Sequence, residues 1–182
     1  MRKMKEAIGI MEYTSIARGI ETTDIMVKAA QVRILKSSTV CPGKYITILG
    51  GNVDSIKSAM SVGIRRGGEY VVDTLEIHNI HGQLIPAIVQ GNSVEHVGAI
   101  GVMEFYSVAS GIVAADTAAK AAAITLIEIK IGYAIGGKGV VLLTGELDAV
   151  NTAVRAACSG SDLLMQASVV ARPDSSLIEM LL

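Results

Sequence analysis

The sequence predicts an α+β chain made of two tandem ferredoxin-like domains, each with the element order β-α-β-β-α-β. Three observations predict it. First, the chain repeats itself: "AIGIMEYTSIARGIETTDIMVKAA" (7–30) aligns with "AIGVMEFYSVASGIVAADTAAKAA" (99–122) at an offset of 92, with 13 identities in 24 positions. Second, the offset grows to 94 further on, where "GNVDSIKSAM" pairs with "GELDAVNTAV", so copy two carries two extra residues in "GYAIGGKG". Third, each copy mixes β-type runs with stripes at helical spacing, the pattern of a split β-α-β sandwich. Fixed-period self-similarity of this kind marks a tandem duplication.

Each copy opens on a short strand, "AIGIMEY" or "AIGVMEF". Ser15 and Ser107 stand where a helix N-cap belongs, since a serine hydroxyl accepts from a first-turn N–H. The helices that follow should bury Ile16, Ile20, Thr23, Val27 and Ala30, or Val108, Ile112, Ala115, Ala119 and Ala122. Two strands then flank a tip loop. In copy one the tip is "VCPGK", where Cys41-Pro42-Gly43-Lys44 fits a type II turn, with Pro at i+1 and Gly supplying positive φ at i+2. The second helix turns Val53, Ile56, Met60 and Gly63 inward, matched by Leu147, Val150, Val154 and Ala157. A closing strand ("YVVDTLEI" or "LLMQASVV") and a short helix complete each unit. The domains are expected at 1–90 and 99–182, with "GNSVEHVG" (91–98) as linker.

Composition narrows the function class. A net charge of -1, no Trp and one Phe give neither the electrostatic footprint nor the stacking platforms of a nucleic-acid binder. Apolar residues reach 51%, yet charges such as Asp116 and Lys120 interrupt every long apolar stretch. None attains the roughly 18 residues of a membrane span. Glu6 and Glu12 break up any signal-peptide core behind the basic lead "MRKMK". Two cysteines without a secretory signal point to the cytosol and free thiols. An Ala-, Val-, Ile- and Gly-rich composition suits tightly packed layers and extensive subunit contact.

Most chemical motifs here lack their partners. Gly132 to Lys138 matches G-x-x-x-x-G-K, but Gly139 stands where a P-loop needs Ser or Thr, and "VVLL" after it reads as strand. His78 and His81 are spaced for one helix face but fall at a strand end with no third ligand near. Cys158 sits beside an inward stripe and reads as a small core hydrophobe. No paired carboxylates, nucleophile elbow or triad pattern occurs, so nothing argues for an enzyme. Cys41 has no counterpart in the aligned loop of copy two. It is an incidental thiol, a nucleophile lacking an evident base, or one ligand of a metal cluster whose other ligands come by symmetry. Iron–sulfur clusters need several thiolates, and a threefold axis through the tip would provide them.

The paired "AIGIMEY…DIMVKAA" and "AIGVMEF…DTAAKAA" segments resemble the domain of bacterial microcompartment shell proteins, and "VVARPDSSL" is similar to its closing Pro-containing signature. With "STVCPGKY" the chain resembles the tandem-domain members, including those of propanediol-utilising compartments. The resemblance implies a homotrimer forming a flat pseudohexameric tile in a microcompartment shell in the cytoplasm. It implies a central pore lined by Val40, Pro42, Gly43, Lys44, Gly136, Gly137 and Lys138. It also implies a 4Fe-4S cluster, one per trimer, with three Cys41 ligands and electron transfer or cluster exchange across the shell. Thiolates about 6 Å apart repel by about 3 kcal/mol per pair at an effective dielectric near 20, so iron is what makes such a site favourable. Lys28, Lys120 and Arg172 map to tile edges facing neighbouring shell proteins, while "IHNIHGQ" in copy one lacks the arginine. A redox enzyme in the lumen or cytosol is a possible partner under that reading. A plain metabolite pore and a small-molecule-binding regulatory trimer are the alternatives.

Overall fold

The structure, a computed structural model, describes residues 6–94 and 96–181; the basic lead at 1–5, Glu95 of the expected linker, and Leu182 lie outside the described residues. The chain divides into two compact units, Met1–Ile80 and His81–Leu182.

The first unit runs β1 (Glu6–Tyr13), α1 (Ile16–Ala29), β2 (Arg33–Val40), β3 (Lys44–Asn52), α2 (Val53–Gly67), a 3₁₀ turn (Gly68–Tyr70) and β4 (Val71–His78). The second has α3 (Leu84–Val89), β5 (Ala99–Phe105), α4 (Val108–Ala121), β6 (Thr125–Ile131), β7 (Gly139–Gly145), α5 (Leu147–Cys158), β8 (Leu164–Val170) and α6 (Ser175–Leu181). The sheet orders are β2-β3-β1-β4 and β6-β7-β5-β8, with every neighbouring pair antiparallel. Each is the split β-α-β arrangement that the element order predicts.

Even the irregularities recur. Register shifts fall at Glu12/Tyr13 and Glu104/Phe105, and again at Ile34/Lys36 and Leu126/Glu128, positions related by the offset of the repeat. Ser15 and Ser107 cap α1 and α4, accepting from Arg18 N at 3.2 Å and Ser110 N at 3.4 Å. Asn52 caps α2 in the same way, from Ser55 N at 2.8 Å. Helix α2 stops at Gly68, whose φ of 55° ends the helical path while its N–H bonds Ile64 O.

Helix α4 buries a wider face than α1. In α4, Val108, Ile112, Ala115 and Ala119 are buried as the stripe predicts. In α1 the buried residues are Gly19, Thr22, Thr23 and Met26, while Ile16 and Ile20 are exposed. Those four α1 residues map onto Gly111, Ala114, Ala115 and Ala118, which are also buried, so the sheet-side face is the same and Ile16 and Ile20 lie on a flank that is buried in α4 alone. Thr23 Oγ1 bonds Gly19 O at 2.7 Å and meets Thr47 Oγ1 at 2.6 Å, a satisfied buried pair. Copy two replaces it with Ala115 and Val141, both fully buried.

The short helix expected to complete copy one belongs to the second unit instead. Helix α3 packs on β6 and α4, so the structural division falls at 80/81 rather than after residue 90. Leu147, expected to face inward, is exposed at the first turn of α5, whereas Val150, Val154 and Ala157 are buried.

Helix α1 lies close on the root of the copy-one hairpin. A Cβ on Gly19 would sit 2.5 Å from Cδ1 of Tyr45. In copy two the equivalents are Gly111 and Gly139, where an added Cβ on Gly111 would meet the Gly139 Cα at 3.0 Å. Copy one fills with a ring the space that copy two closes by backbone approach. Gly19→Ala should therefore lower stability in urea unfolding by about 1–3 kcal/mol from overpacking, despite a helix-propensity gain of about 1 kcal/mol. In a Tyr45→Ala background the same change should cost less or reverse sign. Stabilisation in the wild-type background would mean that the ring yields freely.

Candidate functional site

The last cross-strand pair of the copy-one hairpin is Val40 with Lys44, leaving Cys41-Pro42-Gly43 as the connection. The Cys41–Pro42 peptide is cis and Gly43 has φ 81°. The positive φ that the turn reading asks of Gly43 is found. Cys41 is half-buried at the foot of the tip, and Pro42 and Gly43 form its exposed crest. The thiol is thus less exposed than a crest position, because it directly follows the buried Val40 at the end of β2.

Two interactions hold this tip. Tyr45, buried against Gly19, reaches across the hairpin so that its hydroxyl lies 2.7 Å from Ser37 Oγ. Lys44 Nζ donates to Glu12 Oε1 at 2.7 Å. Glu12 is opposite Ile46 in the register, two residues on from Lys44, so the pair is a diagonal contact on one sheet face.

Copy two repeats the pair on a different loop. Lys138 Nζ donates to Glu104 Oε2 at 3.1 Å, and Glu104 is opposite Val140. Between β6 and β7, positive φ occurs at Gly132, Ala134, Gly136 and Gly137, three of them positions where glycine costs least. Tyr133 projects from this loop, 74% exposed. Strand β7 begins directly at Gly139, and Lys138 is engaged by Glu104. No helix N-terminus follows to cradle a phosphate, as reading the motif as a hairpin tip requires.

The carboxylates Glu12 and Glu104 were not among the residues singled out from sequence. Their signal is their place in "MEY" and "MEF", but only the strand register shows which lysine each meets. With both partners partly exposed, each pair contributes about 0.2–1 kcal/mol. Their larger consequence is that neither tip lysine presents a free ammonium group.

The remaining candidates lie apart from the tips. His78 ends β4 with Nε2 3.2 Å from Glu76 Oε2. The backbone N–H of His81 donates to Asp116 Oδ1 at 2.7 Å, and its ring accepts from Gln83 N. Among the described residues no group of three His, Cys, Asp or Glu could hold a metal ion. Cys158 is half-buried at the end of α5, and burial raises its thiol above the ordinary value of 9.0. Of the expected edge residues, Lys28 pairs with Asp24 at 2.6 Å in the open, while Lys120 is held by the buried Asp116. Arg172 is exposed between β8 and α6. No helix among the described residues is long and apolar enough to cross a membrane.

A model of the BMC domain matches residues 7–80 and again 99–173. The chain is 42% identical over 177 residues, 96% of each chain, to the bacterial microcompartment shell protein PduT of Citrobacter freundii. The chain belongs to the family of bacterial microcompartment shell proteins. Within it, the carboxysome shell protein CsoS1C of Hydrogenovibrio crunogenus is 38% identical over 91 residues, 48% of this chain and 88% of that one. The crystal structure of a microcompartment protein from Desulfitobacterium hafniense superposes with a TM-score of 0.92 at 41% identity, covering 96% of this shell protein and 98% of that chain. The fold expected from the repeat, two domains of this family, is the one found. A structural part in the shell, rather than catalysis, goes with that membership.

The burial of Cys158 makes a prediction about reactivity. Only the thiolate attacks an alkylating reagent, and a raised pKa keeps the thiolate scarce at neutral pH. In Cys41→Ser, iodoacetamide labelling of Cys158 should be slow at pH 7 and climb about tenfold per pH unit up to pH 9. A rate that levels off below pH 8.5 would contradict the buried placement.

Proposed function

We propose that this shell protein forms a trimeric tile whose pore is lined by the hairpin tips and carries one 4Fe-4S cluster ligated by Cys41 from three chains. The observation that carries the reading is the placement of Cys41 on a short, anchored tip in one copy only. The donor set fits such a cluster only across chains: one tip offers one thiol, and Cys158 lies on α5. Closed rotational symmetry is the common way for identical chains to pool single ligands, and three thiolates leave one iron open to another ligand. When bound, the cluster supplies one-electron transfer between the two sides of the tile, toward a redox partner in the lumen or cytosol.

The chain's own contribution is placement. Tyr45 wedged on Gly19 and bonded to Ser37 fixes the hairpin root, and the Glu12–Lys44 pair removes a free cation beside the thiol. Gly43 leaves the crest clear, with no atom within 4 Å of where its Cβ would stand. The longer glycine-rich tip of copy two carries no thiol and lines the remaining half of the pore.

Iron and acid-labile sulfide per trimer, with electron paramagnetic resonance after reduction, test this reading in anaerobically reconstituted protein. Wild type and Cys158→Ser should hold about four irons per trimer, and Cys41→Ser should hold none while remaining a trimer. Wild type without iron, or Cys41→Ser keeping the signal, would leave a plain metabolite pore as the better account.

The edge lysines differ in setting, and so should their variants. Lys28→Glu should leave trimers intact and stop sheet growth seen by electron microscopy, because Lys28 is exposed and its pair with Asp24 is open to solvent, so its stem can pack along a neighbour. Lys120→Glu should also lower the chain's own stability, by about 1–2 kcal/mol, since it sets a like charge against the buried Asp116. Unchanged sheets in Lys28→Glu would mark it as an ordinary solvated lysine.

A further inference from the structure

The second unit shows how this fold covers an open sheet edge, and the first unit lacks that cover. Strand β6 is the edge of its sheet. Gln83 clasps it with both ends of its amide: Nε2 donates to Ile124 O at 3.0 Å, and Leu126 N donates to Oε1 at 2.7 Å. Asn92 continues the clasp, with Nδ2 donating to Leu126 O and N donating to Ile127 O, both at 2.8 Å. Between them Leu84, Ala87 and Ile88 of α3 are buried, and His81 N reaches Asp116 on α4.

The repeat supplies the same parts in the other copy, but apart from each other. The register sets Ile77 opposite Ile8 and Val170 opposite Ile100, so β4 maps onto β8 at an offset of 93. Continued at that offset, "LIPAI" of α3 becomes "LIEML" (177–181) of α6. Leu177 and Met180 thus stand where Leu84 and Ala87 do. They are 42% and 85% exposed, and no residue of α6 is buried.

The receiving face is equally bare. Residues Ile20 and Ile34 of α1 and β2 are 54% and 48% exposed, while their counterparts Ile112 and Leu126 are at 0%. Asp24 is exposed where Asp116 is buried. These residues surround the footprint that the 81–92 segment makes in the second unit. An unpaired edge strand flanked by exposed isoleucines invites pairing with another chain.

We propose that α6 of one chain docks on the β2 edge and α1 of a second copy, in the place that α3 takes on β6 and α4. The occupant is a second copy because only the repeat carries a segment of matching apolar pattern. Ser176 stands in for Gln83 and turns back to Asp174, its Oγ donating at 2.5 Å. The amide clasp is therefore absent, and apolar contact carries the docking: Met180 presents a far larger side chain than Ala87. Such a contact is heterologous, α6 on one side and β2 on the other, so it propagates head to tail and closes only as a ring. This rests on the reading of the protein as an assembled tile, and it names the contact that closes that tile.

Sedimentation of wild type, Leu177→Asp, Met180→Asp and Ile20→Asp at micromolar concentration tests it, together with hydrogen exchange over 31–36. All three positions are exposed in the single chain, so the chain should stay folded. The expected result is a three-chain mass for wild type and loss to the 19.0 kDa single chain in the variants. Amide exchange in β2 should quicken at least tenfold in Leu177→Asp, although the substitution is in α6. Variants that keep the wild-type mass, or β2 exchange unchanged in Leu177→Asp, would overturn the docking and leave the tile reading standing. A single-chain wild type would overturn both.

Discussion

A four-stranded sheet ends in an edge, and an edge strand leaves a row of backbone donors and acceptors without partners. That constraint organises the molecule. Because each domain is open at β2 or β6, its stability and its assembly are the same problem: something must lie along that strand. In the second unit the cover is the chain's own 81–92 segment, with Gln83 and Asn92 bonding backbone groups of Ile124, Leu126 and Ile127 along the start of β6. Burial follows the cover. Leu126 and Ile112 are sealed, and Asp116 can be buried because His81 N and Lys120 both answer its charge.

Duplication followed by divergence is what gives the tips different chemistry. A ring of six identical domains would present six identical tips. A ring of three tandem chains presents two kinds, three of each. Here the pairs Glu12–Lys44 and Glu104–Lys138 are kept on both, while the crest is a compact Cys-Pro-Gly on one and a seven-residue glycine-rich loop on the other. The constant part steadies the hairpin root, and the variable part is free to change. Tyr45 on Gly19 and Gly139 on Gly111 are two solutions to packing a helix on that root. The first supports a short tip with a ring, and the second lets backbones touch beneath a longer one.

The repeat, both N-caps, the strand order and the inward face of α2 could be read directly from the residues, because each depends on local pattern or on a fixed period. Two features could not. The stripe through Ile16 and Ile20 has sound helical spacing, but spacing cannot tell a face buried in the chain from one left for a partner. The same period in α4 buried Val108 and Ile112. The 81–92 segment looks like the tail of copy one in sequence, since it continues that copy's pattern, yet its contacts are with β6.

The Ile16–Ile20 mismatch is therefore informative rather than a failure of amphipathic reasoning. Two homologous helices with the same apolar spacing differ in burial only where one has a covering segment and the other does not. A sequence that keeps isoleucine at two solvent-facing positions, beside an exposed Ile34 on the adjacent edge strand, has a surface shaped like an interior. Single exposed apolar residues are ordinary in folded proteins. Three that map, through the repeat, onto fully or nearly fully buried partners are a different observation. They locate the missing cover at the residues where the homologous unit already has it, and that position, not hydrophobicity in general, is what assigns this face to another copy of the chain.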